Sequence, residues 1–208
     1  MTSQRIDFAD RAREVARYLR WLRANESHLS TPLLATMRAA AFLLIYNMVE
    51  SSARALTETI LDVVGPAALP LSDLSPHLRR EFLRQALRKG AQYDLIGDLD
   101  DPAHDVTRHY DPEKIFSGNV DAKAIRERLV QLGCPDVDFR VQHGINTGLL
   151  KNLRNTRNDL AHGTKSFAGV GGSAPQSLIE DTFVAALRTL RLAFNEVEGL
   201  LARNDHLK

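Results

Sequence analysis

The stretch "RNDLAHGTKSF", Arg157 to Phe167, holds the residues whose chemistry stands out most. A histidine takes or gives a proton near neutral pH. An arginine clamps phosphate oxygens as charge redistributes in a transition state. Arg157 and His162 are therefore groups that phosphodiester cleavage can use. On a continuous helix, five residues place them about 140° apart, so they do not overlie one another. Gly163 suits the left-handed residue just past a helix end, which places His162 in the last turn. There the helix dipole is negative and favours the imidazolium, and a long arginine side chain can extend toward the same end. By spacing alone, a capped, solvated helix end explains the pair more readily than catalysis does.

The elements around this stretch are helical. Phe8, Ala12, Val15, Leu19 and Leu22 fall at offsets 0, 4, 7, 11 and 14, one apolar stripe on a helix crowded with arginines. A second helix starts at Thr31-Pro32, with Thr31 as cap, and runs to about Val64 before Gly65-Pro66. Ile45, Val49, Ser52, Leu56, Ile60 and Val63 mark its inward face. A third follows Ser72 or Ser75 and stops at Gly90. "VDAKAIRERLVQLG" is a fourth, with Ile125, Leu129 and Leu132 inward, and "NTGLLKNLRNTRNDLAHG" a fifth, with Leu149, Leu153, Thr156 and Leu160 sharing a face. "GVGGSAPQ" reads as a flexible connector. The last helix carries Phe183, Leu187, Leu190, Phe194, Val197 and Leu201, with Ser177 and Glu180 as a capping box. No segment alternates with period two for long. The expected fold is all-α, an up-and-down bundle of four to five main helices with short added ones.

Composition narrows the function classes. Of 208 residues, 44% are apolar and 25% charged, which suits a globular protein. The 27 basic and 26 acidic residues nearly cancel, so any nucleic-acid surface has to be a local patch. Such a patch exists: Lys151 to Phe167 holds four bases (Lys151, Arg154, Arg157, Lys165) and one acid, Asp159. Lys151, Arg154 and Lys165 can hold a phosphate backbone or form an ordinary solvated face. Ser166 can bond phosphate or cap a turn, and Phe167 is expected in the core. The longest apolar run, "AAAFLLIY", is too short to span a bilayer, and the charged N-terminus has no signal-peptide core. With Cys134 the sole cysteine, no internal disulfide forms, and a cytoplasmic location fits. Cys134 reads as a structural bystander. The acidic stretch Asp94 to Glu113 holds seven acids and one base. Its acids and histidines match no metal-loop spacing, so a solvated acidic excursion is expected, over about 94–118, that can cover a basic cleft or meet a partner.

Arg157-x4-His162 resembles the Arg-x(4–6)-His signature of the HEPN superfamily of helical ribonucleases. The Leu-Ala before the histidine and the His-Gly-x-x-Ser-Phe after it resemble the bacterial toxin-like group, as do "IYNMVESSARAL" and "FSGNVDAKAIRERL". The resemblance covers most of residues 30–205 and implies one HEPN-like domain over residues 1–208. It implies a homodimer whose two Arg-His motifs line one cleft, with RNA as substrate, no metal or other cofactor, and often a cognate antitoxin or a phage-defence role. By position, Arg157 would stabilise the scissile phosphate, His162 would act as base or acid, and Asn158 would orient His162 or the phosphate. Glu50 would support the site from the neighbouring helix. A non-catalytic HEPN module that binds RNA, nucleotide or protein is the alternative.

Overall fold

The computed structural model describes residues 2–67, 69–88, 115, 116 and 118–208. The acidic stretch Asp94 to Glu113, and Gly90 as a helix stop, lie outside the described residues. Among the described residues the chain forms seven α-helices and no strand. They are α1 (Ser3–Asn25), α2 (Thr31–Val64), α3 (Pro76–Arg88), α4 (Ala122–Leu132), α5 (Thr147–Ala161), α6 (Phe167–Ser173) and α7 (Gln176–Ala202). The all-α bundle expected from the apolar periodicity is the fold observed.

Helix α2 is the axis of the bundle and packs against α1, α6 and α7. By length and composition it could cross a membrane, with an 18-residue window of mean hydropathy 1.4. Here it serves as the core helix: Ile45, Tyr46, Val49, Leu56 and Ile60 are essentially inaccessible. Its cap is Ser30, with Thr31 already helical. Val63 is 42% exposed, and Val64 takes the expected inward place. A step of four from Ile60 stays on the buried face here where a step of three leaves it. Helix α1 buries Phe8, Val15, Leu19 and Leu22 and runs antiparallel to α7, with Arg5 paired to Glu198 at one end and Arg23 to Glu180 at the other.

Local signals set most helix ends. Ser75, not Ser72, caps α3 by accepting from the Leu78 N–H, and Asp121 caps α4 by accepting from Ala124. Gly133 ends α4 at φ 95°, and Gly163 follows α5 at φ 68°, both in the left-handed region that glycine favours. On α5 the buried residues are Leu150, Leu153 and Leu160, with Leu149 and Thr156 at the edge of that face.

Three further expectations are corrected. The glycine-rich connector is the helix α6, capped by Ser166 accepting from Gly169. Its glycines let it approach α2 backbone to backbone: a Cβ on Gly171 would lie 1.7 Å from the Ala35 carbonyl oxygen. Packing thus overrides the poor helix propensity of glycine. Phe167, first residue of α6, is 38% exposed rather than in the core; the residues that this helix buries are Val170 and Gly171, one turn further on. The Ser177–Glu180 capping box does not form. Pro175 occupies the cap, Ser177 lies inside α7, and Gln176 donates to Glu180 instead.

A buried ion pair joins α2, α3 and α4. Arg128, 2% exposed, donates to Glu81 on α3 at 2.5 Å and to the Thr57 hydroxyl on α2 at 3.0 Å. The C-terminal residues are tied to the segment before α3 by the Leu74–Leu207 bridge and by hydrogen bonds from Ser75 N–H to the His206 carbonyl and from Lys208 N–H to the Asp73 carbonyl.

Candidate functional site

Arg157 lies on the flank of α5 and turns toward α2. Its guanidinium carbon stands 4.9 Å from the centroid of the Tyr46 ring, a cation–π contact. A guanidinium nitrogen lies 3.9 Å from Glu50 Oε2, one turn further along α2 from Tyr46. Glu50 also accepts from Arg54 at 3.0 Å, so one carboxylate serves two arginines. The neighbouring Asn158 accepts from Arg157 at 3.1 Å and donates through Nδ2 to Asn119 at 2.8 Å.

The segment just before α4 closes the other side. The Tyr46 hydroxyl donates to the Gly118 carbonyl at 2.6 Å and accepts from the Val120 N–H at 3.1 Å. Burial is the largest cause raising the Tyr46 pKa, which keeps the hydroxyl protonated and able to donate. Gly118 sits at φ 75°, and a Cβ there would lie 3.5 Å from both terminal nitrogens of Arg157. The backbone thus passes directly beside the guanidinium. Three segments distant in the chain, around Tyr46–Glu50, Gly118–Asn119 and Arg157–Asn158, converge here.

His162 is the residue that ends α5. Its N–H bonds the Asn158 carbonyl at 2.9 Å, and Gly163 then turns the chain. Its side chain is exposed, and no described residue hydrogen-bonds the imidazole. Arg157 therefore meets both Asn158 and Glu50, while His162 stands in solvent at the end of the same helix.

The other sequence-picked residues divide between two sides of α5. Lys151 and Arg154 line a cleft of about 480 Å³ between α4 and α5. Arg154 pairs with Asp121 at 2.6 Å, and Lys151 is exposed with no ion pair among the described residues. Lys165 and Ser166 line a separate groove of about 380 Å³ beside α6 and the start of α7. Lys165 pairs with Asp159 at 2.7 Å, and that hydrogen bond is the largest cause holding the Asp159 carboxyl below its usual range. Ser166 Oγ is engaged as the α6 cap. Among the described residues no three His, Cys, Asp or Glu side chains gather as a metal site. The acids and histidines between Asp98 and His109 lie outside the described residues.

Sequence reasoning missed Tyr46, Gly118 and Asn119. All three lie within the segments "IYNMVESSARAL" and "FSGNVDAKAIRERL", but neither shows a periodicity or spacing that pairs it with Arg157.

The all-α bundle is the fold expected of a HEPN domain. The family model described as MAE_28990-like HEPN matches residues 4–191, nearly the whole chain. The chain belongs to that HEPN family. No curated protein and no solved structure matches it significantly.

Proposed function

We propose that this HEPN protein is a metal-independent endoribonuclease. The observation that carries the reading is the held posture of Arg157, supported by Tyr46, Glu50, Gly118 and Asn158, one helix end from an exposed His162. A preoriented guanidinium needs little reorganisation as charge grows on a phosphate. An exposed imidazole is free to reach a ribose hydroxyl or a leaving oxygen.

In this reading His162 takes the proton of the ribose 2′-hydroxyl, and the 2′-oxygen attacks phosphorus. The bond from phosphorus to the 5′-oxygen breaks. The leaving 5′-oxygen takes a proton from a second imidazole, the His162 of another copy across a homodimeric cleft. The products are a 2′,3′-cyclic phosphate and a 5′-hydroxyl. Arg157 stabilises the phosphate oxygens, and Asn158 fixes the Arg157 fork. DNA is not cleaved, because it lacks the 2′-hydroxyl. A role as the toxin of a toxin–antitoxin or phage-defence pair in the cytoplasm completes the proposal.

A second reading is a non-catalytic HEPN module that binds RNA, nucleotide or protein. It is favoured by one feature: no described residue hydrogen-bonds the His162 imidazole, so nothing described in this chain fixes its ring. The discriminating experiment is RNA cleavage by the purified protein in EDTA. Cleavage abolished by both Arg157→Ala and His162→Ala, with fold and assembly unchanged, supports the ribonuclease. Cleavage that survives both substitutions refutes the site, and cleavage lost on adding EDTA refutes metal independence.

A further inference from the structure

We propose that the cleft between α4 and α5 is a subsite for a nucleotide flanking the scissile phosphate of single-stranded RNA. The inference rests on the ribonuclease reading and extends the RNA track away from His162.

On both walls the cleft is lined by near chain neighbours of the Arg157 site. On α5, Arg154 and Lys151 precede Arg157 by three and six residues, roughly one and two helical turns. On the opposite wall, Asp121 follows Asn119, the partner of Asn158, by two residues. A strand leaving Arg157 along α5 therefore runs into the cleft.

Its charge is unbalanced in favour of a polyanion. The two lining acids are already answered, Asp121 by Arg154 at 2.6 Å and Asp138 by Arg126 at 2.8 Å. Three lining cations remain. Arg140 and Lys151 form no ion pair among the described residues, and Lys123 meets Glu127 only at 3.6 Å with both side chains well exposed. The volume of about 480 Å³ suits one nucleotide and not a duplex. Unpaired RNA strands are also what proteins read most readily.

The test compares the whole protein with the double variant Lys123→Glu/Arg140→Glu. Neither residue touches Arg157, and both side chains are exposed, so folding is preserved. Binding of a fluorescein-labelled, mixed-sequence 12-nucleotide RNA is followed by anisotropy in a His162→Ala background, to prevent cleavage. The double variant is expected to bind at least about tenfold more weakly. Its salt slope should be shallower by about 0.7 for each phosphate that is no longer neutralised. With His162 present, KM for the 12-mer rises about tenfold in the double variant while kcat stays within about twofold. A dinucleotide, which cannot fill the cleft, is cleaved equally by both proteins.

Equal affinity, salt slope and KM in the two proteins would overturn the subsite and leave the ribonuclease reading standing. Wild-type protein that neither binds nor cleaves RNA would overturn the ribonuclease reading and the subsite with it. A polyglutamate peptide that displaces the RNA at lower concentration than unlabelled RNA does would overturn the subsite by reassigning the cleft to an acidic protein partner.

Discussion

The Arg157 guanidinium lies over the face of Tyr46, whose hydroxyl is fastened to the backbone on either side of Asn119. One aromatic side chain thus couples the position of the arginine to the segment that carries Gly118 and Asn119. Tyr46→Phe keeps the ring but leaves the buried Val120 N–H and the Gly118 carbonyl without this partner. An unsatisfied buried backbone group costs about 1–3 kcal/mol. Chemical denaturation should show a loss of that size. If the ribonuclease reading holds, kcat should fall with it while KM changes little, because the arginine loses its fixed posture. Unchanged stability in Tyr46→Phe would show that the hydroxyl bridge contributes nothing.

Arg157→Lys isolates geometry from charge. Lysine keeps one positive charge but cannot present the planar fork that holds Asn158 and a phosphate together. Loss of one transition-state donor of this kind costs about 10²–10³ in rate. The expected result is a fall in kcat/KM of that order, with a melting temperature close to wild type, since Arg157 is partly exposed. Wild-type cleavage in Arg157→Lys would reduce the residue to a point charge.

Gly118→Ala tests the close approach of backbone and guanidinium. A left-handed φ costs an L-residue about 1–2 kcal/mol, so the backbone beside Arg157 is pushed to shift, while the added Cβ itself would make only ordinary van der Waals contact with the Arg157 nitrogens, at 3.5 Å. Gly144→Ala is the control. Its φ is 60° and its Cβ would meet nothing within 4 Å, in the turn before α5, at the opposite end of that helix from His162. Both variants should lose similar stability in denaturation, and only Gly118→Ala should also lose cleavage. Equal activity in the two would show that Gly118 matters for its backbone alone.

The C-terminal ends of several helices are legible in the sequence because their causes are local, whereas the starts of α2 and α7 are not, since Ser30 and Pro175 take the cap places expected of Thr31 and Ser177. Gly65-Pro66, Gly133 and Gly163 sit where α2, α4 and α5 end, and Ser75 caps α3 as its position suggests. Helix α6 is not legible, since four residues of "GVGG" argue against helix until Ala35 is placed beside Gly171. The candidate site divides in the same way. Arg157, Asn158 and His162 share one stretch of chain and stand out there. Tyr46 and Asn119 join them only through contacts between distant segments, which no local pattern encodes. Lys165 and Ser166, close in sequence, are separated from the Lys151 cleft because the chain turns at Gly163.

His206 should make the protein less stable as pH falls. It is 5% exposed, and burial holds its imidazole below the usual histidine range, against the weaker opposing pull of Asp205. The unfolded chain therefore takes up a proton first, below about pH 6.5. Stability present above that pH is lost progressively as pH falls toward the depressed folded value, and the loss is complete below it. Melting temperatures from pH 7.5 to 5 should fall more steeply for wild type than for His206→Asn, which does not titrate. Parallel curves would show that His206 is not the source.

Cys134 should be inert in the folded protein. Burial, more than the nearby Glu196, pushes its thiol up to about 12. The thiolate is the reactive form. At pH 8 a thiol of that pKa is ionised to about one part in ten thousand, against roughly a quarter for a free cysteine of pKa about 8.5. The side chain is also only 6% exposed, packed just past the end of α4. Iodoacetamide should therefore label the native protein hundreds of times more slowly than the urea-unfolded chain, as followed by mass spectrometry. Cys134→Ser should leave RNA cleavage intact, because the thiol lies outside the Arg157 site, while costing stability through a hydroxyl placed in an apolar environment. Fast labelling of the folded protein, coupled to loss of cleavage, would instead make Cys134 a functional thiol.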